Sequence, residues 1–502
     1  VDVVLLEADV FPRYHIGESM LASMRHLLRF IDLDTTFNEY GFTKKVGGAF
    51  KLNRNKREGF TDFIAAGGPE NYSWNVVRSE ADDLMFRHAG KCGARIFDGV
   101  RVSSVAFTSQ PNRVQIKTEI ETQNQERPVS AAWTRKSDSA TGTIAFKYII
   151  DASGRAGLLC TKYMKNRTYN QGLKNVANWG YWTGSGAYAE GTPRANSPFF
   201  EALHDESGWA WLIPLHNGTT SVGIVMNQDL ATAKRQALTP VPSTLDFYLS
   251  QLELAPHLRA ILGPTGSLIQ PGIGGSGSGP AIKSASDYSY SSSSYGTPYI
   301  RIVGDAGAFI DPYFSSGVHL ALTGALSAAT TICAALRGDC SEPQAAKWHS
   351  DKIRAQEEPV LADFDEDNFD RAFALFRPVI QGAADIDRRL SQDELKKTLD
   401  FCANAFEPTL PEDRAAVLAK LSSSTAATAT PSSGPLTIPS AKTPFYDANL
   451  TKEEQRVLAH INARKMMRTE DTMNIASFAT DAFGGLMPRL EHGHLGLVGA
   501  AA

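Results

Sequence analysis

At 502 residues the chain exceeds what a single hydrophobic core supports, so two or three packed units are expected. With 42% hydrophobic and 21% charged residues, and 50 basic against 54 acidic side chains, the composition is that of a soluble globular protein; it argues against disorder, a nucleic-acid surface or an anionic-membrane partner and for a small-molecule ligand. The cysteines, Cys92, Cys160, Cys333, Cys340 and Cys402, are scattered without a CxxC pair or metal-ligand spacing, which points away from a disulfide scaffold or a metal site and towards a reducing, cytoplasmic setting.

In chain order, Val1 to Glu7 is a short apolar run ending in a carboxylate, the pattern of a buried parallel strand. The Gly17-Glu18-Ser19 turn is expected to open a helix, because Met20, Met24, Leu27, Leu28 and Ile31 recur at helical spacing. Gly41 to Lys51 reads as a loop entering a strand. Arg78 to Gly93 reads as a helix, and Ala145 to Ile150 as a strand leading into Asp151. From about 160 to 300 aromatic and polar residues alternate as in antiparallel strands, for example over Trp209 to Val225.

The Gly/Ser-dominated stretch 272–296 and the Ser/Thr/Ala/Pro-rich stretch 421–443 are expected to be loops or linkers. Val318 to Leu336 is apolar but contains His319 and many Ala and Thr residues, so a buried helix is expected in place of a membrane span. Beyond Ser341 the pattern is mainly helical, with a capping box at Thr451-x-x-Glu454.

Three places suggest chemistry. Glu7, at a strand tip, suits the adenosine ribose of a dinucleotide, since a carboxylate accepts hydrogen bonds from both hydroxyls. The glycine-rich phosphate turn that precedes such a strand is expected to lie before Val1, and dinucleotide binding to be weak without it. A second strand, Tyr299 to Val303, delivers Gly304-Asp305 at its tip, where Asp305 is placed to bind ribityl or ribose hydroxyls. The segment Phe309-Ile-Asp-Pro312-Tyr-Phe-Ser315-Ser316-Gly317 then runs into the helix at Val318. Its amides make an anion site, suited to a halide and to the negative locus of a reduced flavin.

Four separated segments together resemble the flavin-dependent halogenases, particularly those acting on phenolic polyketides such as radicicol. They are Phe11-Pro-Arg-Tyr-His-Ile-Gly-Glu-Ser19, the WxWxIP motif of Trp209, Trp211 and Pro214, Gly304-Asp305, and the FxxPxxSxG pattern of Phe309, Pro312, Ser315 and Gly317. The resemblance implies an α/β protein: an FAD-binding, split Rossmann-type sheet of the flavin monooxygenase kind over 1–160, rejoined by 299–340. Between them, 161–298 forms an antiparallel substrate-facing layer, and 341–502 a helical region. It implies that Glu7, Arg78, Gly304, Asp305 and Val318 hold FAD, that Ser316 and Gly317 hold chloride, and that Trp209, Trp211 and Pro214 shape the cavity. Lys51, in Gly47-Gly-Ala-Phe-Lys51, matches in position the lysine that the family uses between its flavin and substrate chambers.

The implied reaction consumes reduced FAD, O2 and chloride, with a separate NAD(P)H-dependent reductase supplying the flavin. A flavin hydroperoxide yields hypochlorous acid, and Lys51 presents the electrophilic chlorine to a phenolic ring. Halogenases of free tryptophan carry a glutamate just before the halide turn; this chain has Phe314 there, which favours a substrate whose own hydroxyl activates the ring. An FAD-dependent aromatic hydroxylase and a non-catalytic flavoprotein relative are the competing readings.

Overall fold

The computed structural model describes residues 1–109 apart from 53 and 56, 126–270, 280–361 apart from 311, and 416–417, 420, 450–458, 478–479 and 481–500. The expected linker 421–443 lies outside the described residues, as does 271–279 of the Gly/Ser stretch.

The chain opens with β1 (Val4–Leu6), α1 (Ser23–Phe30), α2 (Asp34–Tyr40), β2 (Thr43–Lys45) and β3 (Gly47–Lys51). There follow β4 (Gly59–Asp62), α3 (Phe63–Gly67), β5 (Ser73–Asn75), α4 (Arg78–Lys91) and β6 (Arg95–Phe97). Strands β1 and β6 pair in parallel, leaving Glu7 just beyond the tip of β1. The helix expected from Ser19 starts at Ser23 instead, because the Ser19 backbone is engaged in a bridge to Asn75. Helix α4 ends as expected, Gly93 taking a left-handed φ of 99°.

Next come β7 (Val100–Ser109), β8 (Glu126–Arg135), β9 (Thr141–Ala145) and β10 (Ile149–Asp151), the first three forming one antiparallel sheet. The large sheet is built around β11 (Arg167–Thr183), β12 (Phe199–Ala202), β13 (Gly208–Pro214) and β14 (Thr220–Asn227). Helices α5 (Gln228–Gln236), α6 (Thr244–Leu252) and α7 (Pro256–Leu262) cover one face, and β15 (Ser267–Leu268) and β16 (Lys283–Ser292) complete the edge. In the eight-stranded sheet the order is β15-β11-β14-β13-β12-β3-β4, with β16 also on β11. Strand β16 corrects the expected loop over 272–296: from Lys283 to Ser292 small serines alternate with tyrosines and pair against β11, a ladder in which backbone hydrogen bonds do the work that apolar side chains usually signal.

Finally come β17 (Gly296–Thr297), β18 (Ile300–Ile302), α8 (Gly317–Arg337), α9 (Glu342–Leu361) and the hairpin β19 (Leu486–Arg489) and β20 (Gly496–Gly499). The returning strand β18 lies parallel to β10, not beside β1. Helix α8 is long and apolar enough to cross a membrane, yet it packs inside the protein: Ser327, Thr330 and Thr331 are fully buried, and Arg301 Nε donates to Thr331 Oγ1 at 2.9 Å. It stops at Gly338, whose φ of 81° lets its amide close the last turn. The capping box forms, Thr451 N donating to Glu454 Oε2 at 2.9 Å and Glu454 N to Thr451 Oγ1 at 3.3 Å.

Candidate active site

The two faces of the large sheet have different jobs. Residues directly opposite one another on paired strands share a face, so Phe200 pairs with Trp211, and Ala202 with Trp209, on the side away from helices α5 to α7. There Trp209, Trp211, Phe200 and Trp179 make a buried aromatic wall. Tyr313, in the turn before α8, packs edge-on to Trp209 at 5.1 Å and lies 5.5 Å from Phe50. Pro214 ends β13, its carbonyl accepting from Asn75 Nδ2 at 3.1 Å. The wall therefore adjoins the segment from which α8 starts.

At that start Ser316 is the N-cap, buried and without a side-chain cap bond, and Ser315 is held at a left-handed φ of 59°. The amides of Gly317 and Val318 fall in the first turn, where no intrahelical acceptor exists. A Cβ on Gly317 would meet nothing within 4 Å, so open space lies beside these donors. Ser315 Oγ donates to Ser19 Oγ at 3.2 Å, and Ser19 Oγ accepts from Lys45 Nζ at 2.8 Å. A buried ammonium thus stands one hydroxyl away from the turn. Sequence reasoning missed Lys45, which ends β2 one residue before β3 begins and is placed by the pairing of β2 with β5.

Lys51, expected between the flavin and substrate chambers, is buried in β3. In register it pairs with Glu201, and it shares a face with Ala49, whereas Phe50 and Leu52 join the aromatic wall. Alternation along β3 turns Lys51 towards the helices. Its neighbour Glu201 accepts from Leu258 N at 2.7 Å and from His257 Nδ1 at 2.6 Å at the start of α7.

The residues expected to hold FAD are linked by charge. Arg78 opens α4 and grips Asp82 through two bonds of 2.8 and 3.0 Å, while its Nη1 donates to Ile16 O at 2.8 Å. Arg13 Nη1 bonds Asp82 at 2.8 Å, and Arg13 Nε lies 4.0 Å from Glu7. Burial raises the Asp305 carboxyl above its ordinary value, opposed by Arg78, Arg155 and Arg167. The charge of Arg78 therefore acts on Asp305 although β18 and β1 lie in separate sheets. Gly304, at φ 57°, brings the backbone against α8, where a Cβ would come within 3.0 Å of Ala321. Among the described residues no hydrogen bond reaches the Asp305 carboxylate, and the charges of Arg78, Arg155 and Arg167 act on it; that donor and acceptor set fits the hydroxyls and diphosphate of FAD.

Glu18 is a second residue that sequence reasoning passed over. It is 3% exposed, and its Oε1 accepts from Tyr181 Oη at 2.6 Å. Tyr181 Oη lies 3.0 Å from Tyr14 Oη, which accepts from Trp179 Nε1 at 2.7 Å. Burial pushes the Glu18 carboxyl up to about 7, against the lowering influence of Tyr181, Ser221 and Arg78. In sequence it stood in the Gly17-Glu18-Ser19 turn and within the Phe11 to Ser19 segment, with no role of its own.

Fold and site together define an oxidoreductase with an FAD-binding Rossmann-type unit and a second, antiparallel layer. Residues 69–364, more than half of the chain, match the family model described as tryptophan halogenase. The flavin-dependent halogenase ascD of Acremonium egyptiacum is 56% identical over 99% of this chain and 88% of its own length. The sulochrin halogenase gedL of Aspergillus terreus is 47% identical over 99% of this chain and 89% of its own. The chain belongs to the flavin-dependent halogenase family. Its fold is also that of the halogenase CmlS, with a TM-score of 0.65 at 22% identity over 84% of this chain and 74% of that one. The myxobacterial chondrochloren halogenase CndH gives 0.63 at 23% identity over 93% and 91%.

Proposed function

We propose that this enzyme chlorinates a phenolic, polyketide-derived aromatic compound, with chloride held at the start of α8 and the oxidised halogen relayed by Lys45. The observation that carries the reading is the chain Lys45–Ser19–Ser315, which joins a buried amine to the helix N-terminus beside the tryptophan wall. FAD, bound in its reduced form, supplies with O2 the oxidising equivalent that turns halide into hypohalous acid. Members of this family draw reduced flavin from a separate reductase.

Each protein group has a physical task. The amides of Gly317 and Val318 and the helix dipole hold the halide without being neutralised by a cap, since Ser316 makes no side-chain cap bond. The Lys45 ammonium adds a full positive charge where anion and oxidised halogen must pass, and its amine can carry the halogen. Trp179, Trp209, Trp211 and Tyr313 exclude water and present flat faces on which an aromatic ring stacks. Glu7, Arg78, Asp305 and Gly304 are the groups that would hold FAD. One of the relatives is a sulochrin halogenase, which supports the substrate class.

The test supplies the enzyme with FAD, a flavin reductase, NADH, chloride or bromide and a panel of phenols. Products heavier by one halogen are expected for phenols and not for their methyl ethers. Hydroxylated products instead would replace this reading with an aromatic hydroxylase.

A further inference from the structure

Resting on the halogenase reading, we propose that Glu18 is the base that takes the proton from the substrate's phenolic hydroxyl, and that Tyr181 and Tyr14 connect it to solvent. Glu18 sits at the aromatic wall. Its partner Tyr181 packs with that wall, and Ser221, the other hydroxyl facing the carboxylate, accepts from Trp211 Nε1 at 3.2 Å. One hydrogen-bonding hydroxyl therefore separates the carboxylate from the tryptophan pair. The second oxygen, Oε2, is buried and has no hydrogen-bond partner among the described residues. A hydroxyl-bearing ring against Trp211 would find an acceptor there.

The path outwards is continuous. Glu18 Oε1, Tyr181 Oη and Tyr14 Oη follow one another at 2.6 and 3.0 Å, and Tyr14 is 48% exposed. Burial raises both tyrosines, Tyr14 to about 12, so each stays protonated and passes a proton by exchange, not by ionising. The charged groups facing this network are few: Arg78 from α4 acts on Glu18, and Lys283 from β16 lies 4.3 Å from the centre of the Tyr14 ring. Burying a carboxylate with so little compensation is costly. Perturbed carboxyls of this kind gather at functional sites.

The chemistry matches the base. A neutral phenol is a weak acid, but as its ring carbon forms the carbon–halogen bond the ring takes on positive charge and the hydroxyl becomes strongly acidic. The halogen–oxygen bond of hypohalous acid breaks with its electron pair leaving on hydroxide, and the phenolic proton passes to Glu18. Hydroxide takes up a proton and leaves as water. The resulting dienone moves its ring proton to oxygen, and Glu18 is reset through Tyr181 and Tyr14. A carboxyl of raised affinity for protons suits this step at neutral pH.

If Glu18 only anchors Tyr181, glutamine would serve, because its amide oxygen accepts the same bond. The experiment compares holoenzyme and Glu18→Gln with the reductase system, chloride and phenols of graded acidity. For weakly acidic phenols kcat should fall by about 100-fold with KM little changed, while oxygen uptake and trappable hypohalous acid persist. The deficit should shrink as phenols become acidic enough to ionise unaided. Tyr181→Phe provides a second handle: removing a donor that lowers the Glu18 carboxyl moves the acid limb of the pH–rate profile to higher pH. Wild-type kcat in Glu18→Gln, or an acid limb unmoved in Tyr181→Phe, overturns the assignment. A wild-type enzyme that halogenates no phenol overturns the functional reading, and this inference with it.

Discussion

Lys45 Nζ donates to Ser19 Oγ at 2.8 Å, and through Ser19 the amine is tied to Ser315 in the turn that opens α8. Lys45→Ala should therefore lower halogenation by about 100- to 1000-fold, the scale of losing one preorganised charge at a reacting centre. Oxygen uptake should continue, with peroxide or hypohalous acid released. Lys51→Met, changed on the opposite side of the β3 sheet, should mainly lower the melting temperature. Product yield and thermal melting of both variants check this; full activity in Lys45→Ala removes the lysine from the relay.

Ser316→Asp places a carboxylate at the N-cap of α8, where it bonds the first-turn amides and completes the cap. The melting temperature should hold or rise, while the halide KM increases about 10-fold, because the new anion occupies the site that halide uses. Gly317→Ala adds a methyl into open space and keeps its amide, so its halide KM should stay near the parent value. Halide titrations under saturating phenol separate the two variants.

The legible parts of the protein were those where the side-chain period reports burial. Strand β13 showed its tryptophans at i and i+2, and α8 showed a long apolar run with a glycine stop. The face that Lys51 takes could not be read from sequence, because it is set by the register of β3 with β12, a partner about 150 residues away; Lys45 ends β2, which is placed by its pairing with β5. Glu18 carries no period at all. Its role emerges only when β11 and β14 bring Tyr181 and Ser221 to it. Strand β16 was hidden because serine and glycine read as loop when nothing reports their backbone pairing.

Arg78 holds Asp82 in a two-point grip and reaches Asp305 by its charge. Arg78→Met should release FAD, seen as loss of yellow colour on gel filtration, and Arg78→Lys should not restore it, since an ammonium lacks the planar fork. Acid stability should change too. Burial raises the Asp82 carboxyl, but Arg78 and Arg13 outweigh it, so its folded value lies below the ordinary one. Its stabilising contribution is present above about 3.9, the unfolded value, and is lost as pH falls through the lowered folded value. In Arg78→Met that loss should begin at higher pH. Equal FAD retention by variant and parent would take Arg78 out of the cofactor site.

His319, in the first turn of α8, and His349 on α9 make a final prediction about how the start of α8 is held. Burial pushes His319 down to about 4 and His349 down to about 3, and each is neutral in the folded protein. His319 Nδ1 meets Ser23 Oγ at 2.9 Å, and His349 Nδ1 meets Ser327 Oγ at 2.8 Å, so both tie α8 to its surroundings. The unfolded chain binds protons at these rings from about pH 6.5 downwards, whereas the folded chain resists. Their contribution is therefore complete above about pH 6.5 and is lost as pH falls towards the folded values. For His319 the loss is on the order of 3 kcal/mol. Melting temperatures should fall steeply between about pH 6.5 and 4, and His319→Gln, which cannot titrate, should flatten that fall while lowering the melting temperature at neutral pH. A pH dependence identical to the parent's would show that His319 takes up its proton as readily in the native helix as in the unfolded chain, and that α8 is held by something other than a ring kept neutral.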